Sequence, residues 1–134
     1  MADNYGLKYT VPRVSFLLDA DTADIDEGDA LTFTDATSGY VKKVDAAAEA
    51  VMGFAMQKVD SPSSDGGASV LVDTSKESVY EFPADAGSVT QALVGASLDI
   101  GADGRSIDIN GTVTADLVVV GVDTDANTCL VKRA

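Results

Sequence analysis

Short runs in which apolar and polar residues alternate recur along the whole chain, each rich in Val, Leu, Ile, Phe or Tyr and each closed by Gly, Asp, Asn or Ser. Alternation with a period of two sets one face of a strand against a core, and the small polar clusters supply turns. The pattern predicts ten strands, at Val14–Leu18, Ala30–Thr34, Tyr40–Val44, Val51–Lys58, Ala68–Asp73, Ser78–Phe82, Ser97–Ile100, Ser106–Ile109, Leu117–Asp123 and Thr128–Lys132. Two stretches have helical propensity, the Ala-rich 45–50 and 88–94. Both are too short to hold a helix alone and predict single turns. The fold class expected is therefore all-β, a small barrel or sandwich of short antiparallel strands.

The second half of the chain echoes the first when shifted by roughly 65 to 68 residues. Gly28-Asp29-Ala30-Leu31-Thr32-Phe33 falls on Gly95-Ala96-Ser97-Leu98-Asp99-Ile100, and Gly39-Tyr40-Val41 falls near Gly104-Arg105-Ser106-Ile107. Val51-Met52-Gly53-Phe54-Ala55 falls on Val119-Val120-Gly121-Val122-Asp123, and Ser69-Val70-Leu71-Val72 on Cys129-Leu130-Val131-Lys132. Each half reads as a hairpin, a Gly-bearing strand, an acidic loop and a closing strand. Gly inside such a strand marks a bulge or bend.

Length and composition place these halves in one domain. A chain of 134 residues hides about two-thirds of its unfolded surface on folding, enough for a core without staples. With 46% apolar but only 6% aromatic residues and no Trp, that core is built from Val, Leu, Ile and Ala. Nine Lys and Arg against 22 Asp and Glu give a net charge of -13. A surface this negative repels phosphate backbones and anionic membranes, so neither nucleic acid nor membrane is an expected partner. A basic patch on another protein is. No apolar core follows a basic start in Met1–Thr10, which reads as cytosolic synthesis without a leader. The lone Cys129 sits in an alternating strand and reads as a buried thiol.

Catalytic templates find little to work with. The chain has no His, the usual general base and metal ligand. Ser75 and Lys76 are adjacent, and neighbours on an extended chain point apart. No Gly-rich phosphate loop is present, and no cofactor is expected. The densest acidic run, from Asp19 to Asp29, offers Asp19, Asp21, Asp24 and Asp26 as candidate oxygen ligands for Ca²⁺ or Mg²⁺. It lacks the Gly and Glu positions of an EF-hand loop. Residues 1–13 differ from the remainder: Tyr5, Leu7, Lys8, Tyr9 and Arg13 make this stretch aromatic and locally basic, and Pro12 favours an extended backbone. The reading is a partner-binding arm ahead of a single domain spanning 14–134.

Glu27-Gly28-Asp29-Ala30-Leu31, Gly39-Tyr40-Val41, Val51-Met52-Gly53-Phe54-Ala55, Val79-Tyr80-Glu81-Phe82-Pro83, Leu93-Val94-Gly95-Ala96-Ser97-Leu98 and Val118-Val119-Val120-Gly121-Val122 together carry a pattern that resembles the small decoration, or cement, proteins of tailed-bacteriophage capsids. The resemblance covers most of the chain from Gly28 onward. It implies a compact β-barrel or β-tulip on the outer surface of a virion, made in the host cytoplasm and assembled as a dimer or trimer. There it would clamp neighbouring major capsid subunits, with no catalytic residues. An acidic Ca²⁺- or carbohydrate-binding β module is the alternative expectation from composition.

Overall fold

All ten strands form, and most begin or end within two residues of the positions read from the alternation. The computed structural model describes residues 13–134; Tyr5, Leu7, Lys8 and Tyr9 of the arm lie outside the described residues. The strands are β1 (Arg13–Leu17), β2 (Ala30–Phe33), β3 (Val41–Lys43), β4 (Gly53–Ala55), β5 (Ser69–Asp73), β6 (Tyr80–Pro83), β7 (Ser97–Ile100), β8 (Ile107–Asp108), β9 (Leu117–Asp123) and β10 (Thr128–Arg133). The helical stretches reduce to a turn near Ala48 and one 3₁₀ turn, Gln91–Leu93. Arg13, grouped with the arm by its sequence, belongs to β1, where it pairs with Asp73.

The strands form two five-stranded antiparallel sheets, ordered β1-β5-β4-β2-β3 and β6-β10-β9-β7-β8. Replacing each strand of the first sheet by the one five places later reproduces the second, so the repeat is a repeat of topology. The register agrees residue by residue. Phe33 pairs with Val41 as Ile100 pairs with Ile107, and Ala55 pairs with Val72 as Val119 pairs with Val131. Parallel bridges join Leu18 to Val41 and Ala84 to Ile107, linking the two edge strands of each sheet. Gly28 and Gly95 both have φ of +91°, a left-handed conformation suited to Gly. Their N–H groups donate to Ala55 and Val119 respectively, both at 2.8 Å.

The structure corrects one part of the sequence alignment. Gly53 lies opposite Leu31, and Leu117 lies opposite Leu98, so Gly53 corresponds to Leu117 and not to Gly121. The seven residues of β9 against the three of β4 lengthen the second half's last hairpin and displace its Gly. Gly121 pairs with Leu130 beside a register shift between Leu130 and Val131, the bulge that a strand Gly commonly marks. Gly53 answers to close packing: a Cβ there would stand 2.7 Å from the Asp73 carbonyl oxygen.

Each half surrounds its own apolar interior. The first contains Leu18, Ile25, Leu31, Val41, Met52, Ala55, Val70 and Val72; the second contains Phe82, Leu98, Ile100, Ile107, Leu117, Val119, Cys129 and Val131. Ala30, Val44, Val51 and Phe54 come from the first half, yet pack in the second interior. Successive residues of a strand face opposite ways, so Leu31 and Ala55 fill the first interior while Ala30 and Phe54 plug the second. Strand β4 is consequently buried on both faces.

Candidate functional site

The plug is centred on Phe54. Its ring lies 4.3 Å from that of Tyr80 and 5.7 Å from that of Phe82, centroid to centroid. Through the register, Tyr80 and Phe82 correspond to Val14 and Phe16 of β1, and Ile100 corresponds to Phe33. The first half thus possesses the same mouth, lined by Val14, Phe16 and Phe33, with Phe16 and Phe33 in edge contact at 5.8 Å. Its occupancy differs. Phe33 is 45% exposed where its counterpart Ile100 is fully buried, Val14 is 45% exposed where Tyr80 is half-buried, and Phe16 is half-buried where Phe82 is 6% exposed. Leu17, on the other face of the same edge strand, is 50% exposed. The open mouth lies immediately after the arm in sequence, because β1 begins at Arg13.

A cleft of about 340 Å³ lies where the halves meet, lined by Asp26, Glu27, Gly28 and Asp29 from one side and Tyr80, Glu81, Phe82 and Arg105 from the other. Its charged groups hold the halves together. The Arg105 guanidinium donates through Nε to Asp29 Oδ1 at 2.6 Å and through a terminal nitrogen to Asp26 Oδ2 at 2.5 Å. Lys43 Nζ stands 3.6 Å from the same buried Asp29 carboxylate. The Tyr80 hydroxyl donates to Asp73 Oδ2 at 2.7 Å. Burial and the Asp73 charge raise the Tyr80 hydroxyl well above the ordinary phenol range, so it remains a donor. Val51 N–H donates to Asp116 at 2.8 Å, and Arg133 to the Thr74 carbonyl at 2.7 Å, adding two more ties.

Three of the four candidate metal ligands have hydrogen-bond partners of their own. The Asp19 carboxylate accepts the Asp21 N–H at 2.7 Å, which lowers its pKa, and Asp24 accepts the Ser61 N–H at 2.9 Å. Asp26 is engaged by Arg105. Among the described residues no three His, Cys, Asp or Glu side chains converge as an ion site. Ser75 Oγ accepts the Glu77 N–H at 3.0 Å, a turn contact. The Cys129 thiol is buried, and burial raises its pKa, leaving it a poor nucleophile at neutral pH.

Sequence reasoning missed a buried carboxylate. Alternation puts Asp99 on the outward face of β7, yet it is 1% exposed. The loop after β8 folds over it: the N–H groups of Val113, Thr114 and Ala115 donate to its two oxygens at 2.8, 2.8 and 2.6 Å, and the Thr114 hydroxyl adds a fourth bond at 3.0 Å. Burial works against ionisation here, and these donors outweigh it, so the carboxyl titrates below its ordinary 3.8. Asn110-Gly111 was the visible signal of that loop: a Cβ on Gly111 would stand 2.8 Å from an Asp99 oxygen.

Compared with known families, curated proteins and solved structures, the chain matches none. The structure itself defines the class: an all-β protein of two antiparallel five-stranded sheets, repeated in topology and joined head to tail.

Proposed function

We propose that this protein is a non-catalytic capsid decoration protein that binds the outer surface of a tailed-phage head, associates with copies of itself and stabilises contacts between major capsid subunits. The observation that carries the reading is the open mouth of the first half. Val14 and Phe33 expose apolar surface, whereas Ile100, the equivalent of Phe33, is buried with the plug of the second half, and exposed apolar surface of this kind suits a protein partner. The halves are tied by ion pairs, hydrogen bonds and a shared core, giving a rigid block suited to a lattice. Many copies on a rigid shell turn modest individual contacts into firm attachment. A net charge of -13 directs the block toward basic protein surfaces.

Capsids assembled without a decoration layer test the reading. Added protein is expected to co-sediment with them and raise the temperature at which they release DNA. Failure to bind, with no change in heat or low-salt resistance, would end the capsid assignment.

A further inference from the structure

The second half shows what its mouth requires: an aromatic plug, Phe54, flanked by Ala30, Val44 and Val51. A simple continuation of the repeat would have the second half's outer face plug the first half of another copy. The side chains argue against it. Ala30 corresponds to Ser97, which is exposed, and Phe54 to Val118, which is half-buried. That face has no aromatic residue to insert. Among the described residues the aromatics are already committed around the two mouths or, for Tyr40, beside Gly66. The remaining aromatics of the chain are Tyr5 and Tyr9 in the arm.

The arm has the composition of a plug. Tyr5, Leu7, Tyr9 and Val11 alternate with Gly6, Lys8 and Thr10, which would give an extended segment one apolar face. From Tyr5 to Pro12 it carries one positive charge, Lys8, and no acid, on a chain whose net charge is -13. Asp35 follows Phe33 closely at the rim and is exposed. The apolar pattern fits the mouth.

We propose that the Tyr5–Val11 segment of one copy occupies the Val14/Phe16/Phe33 mouth of a second copy, so that exchanged arms build the oligomer. This rests on the self-association within the proposed function and deepens it, and its test needs no capsid. Such a contact is heterologous, joining two different surfaces, and closes into a ring or a reciprocal dimer.

Sedimentation velocity of the full chain is expected to show an oligomer. Replacing Leu7 and Tyr9 together by Ser is expected to leave monomer with an unchanged far-UV spectrum, and Phe33→Ser to do the same from the receiving side. In an oxidised Tyr9→Cys/Phe33→Cys double variant, a disulfide between chains is expected, with the buried Cys129 replaced by Ala in all samples. A monomeric wild-type chain would overturn the proposal, as would an oligomer indifferent to the arm substitutions or a disulfide formed only within one chain. None of these results depends on whether the partner lattice is a capsid.

Discussion

The two halves share one strand order and one register, yet they treat their mouths differently. In the second half Tyr80, Phe82 and Ile100 close over Phe54, while in the first Val14, Phe16 and Phe33 keep apolar surface in contact with solvent. The outer faces differ in the complementary sense. Ala30 and Phe54 are fully buried on the first half, and their counterparts Ser97 and Val118 on the second face outward. A tandem repeat joined head to tail always has one plugged mouth, one free mouth and one free outer face. Here the free outer face has no aromatic residue, with Ser97 and Val118 in place of Ala30 and Phe54, while the free mouth keeps Phe16 and Phe33. Under the proposed function, the first half is the binding side.

The sharpest way to break the comparison is to remove the plug. Phe54→Ala is expected to cost about 3 to 5 kcal/mol, seen as a lowered midpoint in urea unfolding. The same truncation at its counterpart, Val118→Ala, should cost well under half of that, because Val118 is only half-buried. Equal losses would show that the two outer faces are not distinct in the way described.

Asp99 sharpens the comparison next, since its counterpart in the first half, Thr32, has no carboxylate to anchor the equivalent loop between β3 and β4. Asp99→Ala removes four hydrogen bonds and leaves three backbone N–H groups without their acceptor, an expected loss on the order of 3 kcal/mol. The pH dependence has a definite sign. The folded carboxyl titrates below its ordinary 3.8, so its contribution is complete above the unfolded value and fades as pH falls through the folded one. Wild-type stability should therefore drop on acidification below about pH 4 more steeply than that of Asp99→Asn. Parallel acid curves for the two proteins would contradict this role.

A smaller effect is expected at the tie between halves. Arg105→Met breaks the bonds to Asp26 and Asp29, with Lys43 still 3.6 Å from Asp29. The Arg105 side chain is 45% exposed, so solvent screens the pair and the loss should be about 1 kcal/mol, shrinking with added salt. A salt-independent loss of several kcal/mol would mean that the pair behaves as a buried one.

Much of this fold is legible in the alternation, because strands with one wet face carry their period openly. Val70 and Val72, or Cys129 and Val131, alternate as expected and point inward. The repeat is visible in Gly28 and Gly95, where a left-handed turn leaves few choices of residue. It blurs at Gly53 and Gly121, which have different reasons to be Gly: one avoids a clash with the Asp73 carbonyl, the other lies at a bulge. Burial on both faces of β4 was hinted at by the unbroken apolar run from Val51 to Met56. The ties of Arg105 to Asp26 and Asp29 join residues far apart in the chain, and no local pattern announces such a pair. Asp99 was hidden for the same reason, its alternation naming a face that a later loop covers.

The contrast between a plugged and a receptive mouth is open to direct measurement, because the chain contains no Trp and accepts a single reporter at either of two equivalent positions. Phe82→Trp and Phe16→Trp, each confirmed as folded, would be followed by indole emission and acrylamide quenching over a wide range of protein concentration. The account predicts a blue-shifted, shielded indole at position 82 at every concentration, and at position 16 an indole that becomes red-shifted and quenchable as dilution frees the first mouth. Two reporters equally shielded and equally indifferent to dilution would contradict it.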